Sequence, residues 1–211
     1  MMGAVRAGVD RWGRHAWAKP LLGLVVTLPC AWLVWAAFAN QLGANPAEAL
    51  IRATGDWTLR FLCVALAVTP LREWLRVPTL ARFRRLLGLT VFAYACLHLT
   101  AYVWLDMGAD WAEVVADVAK RPFIALGMAC WVLLLALALT SFNAAVRWLG
   151  GARWRALHRA VYAVAVLAVL HFWWMRAGKN NFTEVWVYAT VLAALLSARA
   201  WHFYMKNATS A

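Results

Sequence analysis

The chain has 211 residues, of which 65% are hydrophobic and only 14% are charged. Soluble domains are about 45–50% apolar, so this composition excludes an ordinary soluble protein and favours an integral membrane protein. The formal net charge is +12. The basic residues lie between hydrophobic runs, which is typical of topology signals and of contacts with anionic lipid headgroups rather than of nucleic-acid binding.

Six hydrophobic runs predict six transmembrane helices, all α-helical, in one domain that uses residues 1–211. The predicted spans cover about residues 21–39, 57–74, 86–105, 122–142, 158–175 and 184–204. Residues 37–39 match the A-x-A pattern of a signal-peptide cleavage site. The first run is longer than the usual ~7–15-residue signal core, so we expect it to remain as the first span. The second span is the weakest, with Arg60 near one end and Pro70 near the other.

Two links between these runs have features of their own. Residues 40–56 form a polar link before the second span, and residues 111–118 predict a short interfacial helix. Four cysteines lie apart from one another inside apolar runs, with no C-x-x-C-H motif and no cluster for zinc or an iron–sulfur centre. They are interpreted as packing residues.

The third span, residues 86–105 (LLGLTVFAYACLHLTAYVWL), is twenty residues long and carries no charge. At ~1.5 Å per residue it covers the ~30 Å hydrocarbon core of a bilayer. His98 lies inside it and cannot turn to water at that depth. It must therefore face protein, a cavity or a ligand, which makes it a candidate functional residue.

The charges predict which side of the membrane holds the termini. With six spans, the termini and the links after the second and fourth spans share one side, with fifteen Lys/Arg and two acids. The opposite side holds six Lys/Arg and seven acids. The positive-inside rule then predicts that both termini are cytoplasmic.

Two histidines lie at comparable outer depth on different helices. The third and fifth spans both run outward, with His98 in the outer half of one and His171 near the outer end of the other. This arrangement would let two imidazoles hold one haem iron from opposite faces. The residues alone also allow two histidines that hydrogen-bond across a helix interface.

His158 begins the fifth span, thirteen residues before His171. In an ideal helix the two would lie ~20 Å apart and differ by ~140° in facing. For both to face one core, the span needs a π-bulge, a kink, or His158 outside its regular part. Arg84 lies fourteen residues before His98, ~40° away in facing, and can pair with a haem propionate or a phosphate but cannot ligate iron. His202 is a possible substitute ligand for an inner haem, and His15 is expected at the surface.

Several segments resemble the MsrQ family, formerly YedZ, whose membrane domain is similar to that of ferric reductases and NADPH oxidases. They are residues 82–89 (RFRRLLGL), 98–102 (HLTAY), 139–141 (LTS) and 154–162 (WRALHRAVY), with His171. The resemblance implies a six-helix ferric reductase-like bundle in a bacterial inner membrane. It also implies a haem b subunit, with one or two haems and FMN, that transfers electrons without being the catalytic subunit.

The resemblance also implies partners and site residues. Electrons would come from the quinone pool or from a cytoplasmic flavin reductase, and would pass to the periplasmic molybdopterin reductase MsrP, which repairs methionine sulfoxide. His98, His158 and His171 match the family's three haem-linked histidines. Arg84 occupies the position of a fourth histidine found in the wider oxidase family, which leaves open how a second, inner haem would be ligated.

Other interpretations of the same residues remain open. The chain could be the haem b subunit of another membrane oxidoreductase, or a proton-coupled transporter, although its acidic residues lie at helix ends or in links. It shows no G-x-G-x-x-G nicotinamide motif. A basic collar is expected to hold an anionic cofactor group or simply to set the topology, and consists of Arg82, Arg84, Arg85, Arg147, Arg153 and Arg155.

Overall fold

The computed structural model describes residues 2–178 and 180–208, and all regular structure in them is helical. Residues 1, 179 and 209–211, which the predicted single domain includes, lie outside the described residues. The α-helices are α1 (Met2–Arg14), α2 (Ala18–Phe38), α3 (Pro46–Trp74), α4 (Arg84–Ala101), α5 (Trp111–Lys120), α6 (Pro122–Leu139), α7 (Asn143–Leu149), α8 (Gly151–His158), α9 (Val161–Ala177) and α10 (Thr183–Ala208). A 3-10 helix (Pro78–Phe83) precedes α4, and a π-helical segment (Tyr102–Asp106) follows it.

Four helical stretches of the described chain are long and apolar enough to cross a membrane. They are Ala18–Phe38, Pro78–Asp106, Pro122–Leu139 and Gly151–Ala177. The other two predicted spans fall within α3 and α10, which are long but carry several charged residues. The fold is therefore an all-helical bundle with four candidate membrane spans, and a six-span topology remains a prediction.

Helix α3 begins much earlier than the predicted second span. The sequence predicted a polar link over residues 40–56, but the helix starts at Pro46. Asn45 caps it by accepting a hydrogen bond from the backbone N–H of Glu48 at 3.1 Å, and proline is favoured in a first helical turn. The short helix predicted at residues 111–118 is present as α5, with Asp110 as its cap, and its interfacial position stays a prediction.

The predicted fifth span is divided at His158. Helix α8 ends at His158, and α9 starts at Val161 after a two-residue turn. His158 therefore lies outside the regular helix that carries His171. A regular helix would turn the two histidines ~140° apart. A position of His158 outside the regular helix is one of the three arrangements named above that would let both histidines face one core.

The bundle is organised around two closely packed helix pairs, α3 with α4 and α6 with α9, and α10 packs on both α3 and α9. Leu62, Leu66, Val91, Val164 and Leu192 lie buried in one shared core. Lipid tails are as apolar as these side chains, so association depends on close packing and on hydrogen bonds between helices.

Tyr94 joins α4 to α2 at a proline. Pro29 lies inside α2, where its ring disturbs the helical hydrogen bonding. The Tyr94 hydroxyl donates to the Val26 carbonyl at 2.8 Å and accepts from the Cys30 backbone N–H at 3.0 Å. It thus stands between two backbone groups, four residues apart, that would otherwise pair with each other.

Arg199 supplies hydrogen-bond donors to a carbonyl of α3 that a proline leaves without one. Pro70 has no N–H to give to the carbonyl of Leu66, four residues earlier. Arg199 of α10 donates to that carbonyl twice, from Nη2 at 2.7 Å and from Nε at 3.2 Å, and its Nη1 bonds the Tyr162 hydroxyl at 3.1 Å. One guanidinium therefore connects α10 to α3 and α9.

The carboxylate of Asp10 connects helix α1 to the 3-10 helix. Arg14 and Thr79 both donate to Asp10, with the Thr79 hydroxyl at 2.9 Å. These donors lower the pKa of Asp10 below its usual value. A depressed carboxylate pKa contributes stability at neutral pH that is lost only as the pH falls through the lowered pKa. A side chain at Gly13 would meet the Thr79 hydroxyl at 2.7 Å, so this contact requires glycine.

We expect Arg199→Met to destabilise the bundle by about 1–3 kcal/mol, because it leaves the buried Leu66 carbonyl without a donor. In the Pro70→Ala background the new backbone N–H can serve that carbonyl, so the same substitution should cost less. Thermal unfolding of the four proteins in detergent gives the coupling between the two positions. An equal loss in both backgrounds would show that Arg199 does not compensate for Pro70.

Candidate functional site

His98 of α4 and His171 of α9 face each other inside the bundle. Their ring centroids are 6.3 Å apart, and the ring planes cross at 76°. Two imidazole nitrogens each about 2 Å from one metal ion would put the ring centres roughly 6 Å apart. The distance therefore suits two axial ligands of one metal, with the rings nearly perpendicular.

A backbone carbonyl of α3 orients the His98 ring. Nδ1 lies 2.9 Å from the Ile51 carbonyl oxygen and 3.5 Å from the Thr54 hydroxyl. A carbonyl can only accept, so Nδ1 carries the proton in this bond and Nε2 presents its lone pair. The Thr54 hydroxyl donates to the Leu50 carbonyl at 2.7 Å, which leaves its oxygen as an acceptor facing the ring.

His171 has the same kind of support from α6. Its Nδ1 lies 2.6 Å from the Phe123 carbonyl oxygen, in the first turn of that helix. The Phe123 ring centroid is 6.1 Å from the imidazole centroid. A histidine that ligates a metal usually donates its other ring N–H to a carbonyl or carboxylate, which fixes the tautomer and the ring orientation.

A glycine lies against each imidazole. A Cβ at Gly55 would stand 3.0 Å from Cε1 and 3.2 Å from Nδ1 of His98. A Cβ at Gly127 would stand 3.0 Å and 3.1 Å from the same atoms of His171. Both glycines permit a close approach between a helix backbone and a ring, which any side chain would obstruct.

The two halves of the site repeat one pattern. In each half a helix supplies a carbonyl and, four residues later, a glycine, at 51 and 55 in α3 and at 123 and 127 in α6. The partner helix supplies the histidine, 47 residues after the carbonyl in one half and 48 in the other. Each closely packed helix pair thus presents one oriented imidazole to the space between the pairs.

His158 does not join this pair. Its Nε2 lies 3.1 Å from the Thr140 hydroxyl, and its ring stacks on Trp154 with centroids 4.0 Å apart. Trp154 in turn donates to the Thr140 carbonyl at 2.8 Å. His158 is therefore part of a second polar cluster, at the ends of α6 and α8.

The three candidate arginines near the start of α4 differ in what they bind. Arg82 donates to the Gly13 carbonyl, and Arg85 donates to Asn143 Oδ1 at 3.1 Å. Arg84 is half-buried, and its Nε and Nη2 atoms are buried with no hydrogen-bond partner. Arg84 is the one of the three whose guanidinium has buried donors to offer to an anion. The collar residues beyond α6 are exposed, namely Arg147, Arg153 and Arg155.

The remaining histidines lie elsewhere. His15 stacks on Trp17, with ring centroids 5.4 Å apart, and His202 Nε2 lies 3.3 Å from Glu73 Oε2. The four cysteines are free thiols. No group of three or more His, Cys, Asp or Glu side chains within the described ranges is placed to hold a metal ion.

The π-helical segment and α5 meet in a polar contact on the side predicted to face outward. The Tyr102 hydroxyl donates to Asp117 Oδ2 at 2.6 Å, and Arg121 donates to both carboxylate oxygens. Desolvation acts to raise the pKa of Asp117, but the hydrogen bonds from Arg121 and Tyr102 outweigh it, so the pKa lies below its usual value.

The residues that orient and accommodate the imidazoles were missed at the sequence level. They are Ile51, Thr54, Gly55, Phe123 and Gly127. Those on α3 lie in the segment predicted as a polar link. The run Asn45-Pro46-Ala47-Glu48, a cap residue followed by a first-turn proline and an acid three residues after the cap, was the signal that could have extended this helix.

Comparison with known proteins identifies the family. The model of the family described as "Ferric reductase like transmembrane component" matches residues 54–169. A protein of Polaromonas naphthalenivorans (strain CJ2), named protein-methionine-sulfoxide reductase heme-binding subunit MsrQ, is 58% identical, with 97% of this chain and 94% of that protein covered. Proteins of the same name from Herminiimonas arsenicoxydans and Caulobacter vibrioides are 48% and 45% identical, covering 90% and 86% of this chain and 88% and 85% of their own.

No solved structure matches the chain significantly. The family model covers more than half of the chain, and the three relatives are similar along most of its length. Four apolar helices of spanning length agree with a transmembrane family. The chain therefore belongs to the MsrQ family of ferric reductase-like membrane proteins.

Proposed function

We propose that this protein is the haem b electron-transfer subunit of a methionine sulfoxide reductase system, in which His98 and His171 would hold the iron of one haem. The observation that carries the proposal is the facing imidazole pair, 6.3 Å between centroids, with each Nδ1 bonded to a backbone carbonyl. The relatives' shared name, heme-binding subunit of protein-methionine-sulfoxide reductase, supports the same cofactor and the same system.

The residues present fit a haem. Both Nε2 atoms are left as ligand atoms by the bonds at Nδ1, and glycines in place of larger residues let both rings lie close to the neighbouring helices. A haem supplies a one-electron iron couple, whose potential depends on the axial ligands, on hydrogen bonding and on burial. In this role the carbonyls of Ile51 and Phe123 hold both imidazoles in the neutral, ligating tautomer.

A second cofactor site is proposed at the cytoplasmic end of the bundle. Arg84 has two buried donor atoms without partners, and a buried, unsatisfied charged donor is costly. A guanidinium fork suits the carboxylates of a haem propionate and the phosphate of FMN. We assign Arg84 to such an anionic group, with Arg82 and Arg85 at its rim, and His158 to an inner haem. His158 would have to exchange its Thr140 contact for the iron if it ligates through Nε2.

The direction of transfer follows from the proposed topology. Six spans in a bacterial inner membrane, with both termini cytoplasmic, agree with the excess of basic residues on the terminal side. Electrons then enter on that side from a quinol or from a cytoplasmic flavin reductase, by way of FMN. They leave from the outer haem towards the periplasmic reductase MsrP, for which the surface around α5 is the proposed docking place.

The two glycines give a test of the paired imidazoles. Gly55→Ala and Gly127→Ala each add a methyl group 3.0 Å from an imidazole carbon, so the ring must move by a few tenths of an ångström. We expect haem affinity to fall by about tenfold or more, as when support of a metal ligand is lost. The readouts are the haem-to-protein ratio and the low-spin ferric EPR spectrum.

Gly88→Ala is the matched control, because a Cβ at this position on α4 meets nothing within 4 Å. Alanine is the better helix former by about 1 kcal/mol, so the control should keep its haem and gain some thermal stability. If all three variants bind haem equally and give the same spectrum, the glycines do not hold the ligands in place.

Electron transport is tested in liposomes that contain the protein with a C-terminal tag. The reductant, a reduced flavin or a quinol, is supplied on the side of the tag, and MsrP with methionine sulfoxide on the other side. We expect methionine sulfoxide reduction with the unaltered protein and with His15→Ala. The His98→Ala and His171→Ala variants should fall to the rate of protein-free vesicles, because each lacks an axial ligand.

Two outcomes would contradict the proposal. Full turnover by the His98→Ala, His171→Ala double variant would reject the haem route across the bundle. Turnover only when the water-soluble reductant is on the side opposite the tag would reject the topology and with it the direction of transfer.

The proposed anion site is tested with Arg84→Gln. We expect the purified protein to lose most of its flavin, or the inner of two haems, because glutamine cannot neutralise a phosphate or propionate. Arg11→Gln, which removes an exposed arginine of α1, should leave both cofactors in place. Unchanged haem and flavin content in Arg84→Gln, with unchanged electron transfer, would limit Arg84 to setting topology.

A further inference from the structure

The described residues contain three buried side-chain nitrogen atoms that lack a hydrogen-bond partner, and all three belong to arginines. Two are on Arg84, at the start of the helix that carries His98. The third is Nε of Arg176, at the end of the helix that carries His171. The proposed function uses Arg84 and leaves Arg176 without a role.

Arg176 is half-buried near the end of α9, where two neighbouring side chains hold it. Its side chain is 15% exposed, its Nη2 pairs with Glu184 of α10, and its guanidinium carbon lies 5.3 Å from the centroid of the Phe172 ring. Phe172 adjoins His171 in sequence and is itself buried. The pair with Glu184 satisfies one edge of the guanidinium and leaves the Nε donor unused.

The Nε–H group of Arg176 needs a hydrogen-bond acceptor. Arginine keeps its charge in proteins, so Arg176 cannot avoid the cost by losing a proton. A buried charged donor without a partner is energetically unfavourable. A carboxylate matches the planar guanidinium better than any other common group, because it can accept two parallel N–H bonds.

Arg176 lies on the helix that carries His171, near the same end of that helix. Arg176 is five residues beyond His171, and helical side chains lean back over the preceding turn, which agrees with the contact to Phe172. Arg176 therefore lies at the same end of α9 as His171, with its guanidinium turned back over the preceding turn.

We propose that Arg176 binds a carboxylate of the haem held by His98 and His171, through the Nε edge that Glu184 leaves free. This inference rests on the proposed function, since it requires a haem between the two imidazoles. It makes Arg176 a positioning residue for the outer haem, and it gives Arg176 a second effect. A positive charge beside the propionate favours the reduced iron, which carries one positive charge less than the oxidised iron.

The test is a redox titration of the detergent-purified holoprotein, followed by the reduced α-band. Arg176→Gln should lower the midpoint potential, because the propionate charge is no longer neutralised. Arg176→Lys, which keeps the charge, should remain close to the unaltered protein. Lys120→Gln removes an exposed cation of α5, and water and salt screen such a charge, so its potential should not change.

Glu184→Gln separates the proposal from a purely structural ion pair. Both Arg176→Gln and Glu184→Gln break the pair, so a structural role predicts shifts of the same sign. The proposal predicts opposite signs, because Glu184→Gln leaves the arginine charge unopposed and should raise the potential.

The remaining outcomes are also decisive. A potential unchanged in haem-loaded Arg176→Gln, with weaker binding of MsrP, would assign the missing carboxylate to the partner protein and overturn the inference. An unaltered protein that purifies without haem would instead reject the proposed function itself.

Discussion

The hydrogen bond from an imidazole Nδ1 to a helix carbonyl is the interaction on which the site depends. It occurs twice, from His98 to Ile51 and from His171 to Phe123. Each bond sets the tautomer, leaves Nε2 without the proton and joins one helix to its partner. In an apolar environment such a bond does not compete with water, so the ring has few alternative orientations. The fold can be understood as two helix pairs, each built to hold one such bond.

The same requirement explains the polar ties elsewhere in the bundle. Prolines inside α2 and α3 each remove a backbone N–H donor from the helical hydrogen bonding. Tyr94 and Arg199 restore partners from other helices. The proline positions, which would be weak points in isolated helices, are thereby connections between helices. Such connections help because apolar packing alone discriminates poorly between arrangements in lipid.

Much of this architecture could be predicted from uncharged runs and basic links, including the helical class and the meeting of His98 with His171. The first turns of α3 were not predicted, because Glu48, Arg52 and Asp56 gave the segment the composition of a loop and outweighed the capping signal at Asn45. Hydropathy detects contact with lipid, whereas this part of α3 is helical because of its cap at Asn45 and its packing on α4. The roles of Gly55 and Gly127 were also hidden, since a glycine that makes room for a neighbour leaves no local pattern.

The Arg199 contact has a consequence for how the protein is made. The family model matches residues 54–169, a region that ends before α10, yet the donor for the Leu66 carbonyl comes from α10. The ribosome releases α10 after both helices that carry the paired histidines, so α4 and α9 can enter the membrane while the Leu66 carbonyl of α3 still has no donor. Release of α10, rather than insertion of α4 and α9, is then the moment at which the scaffold around the histidines closes.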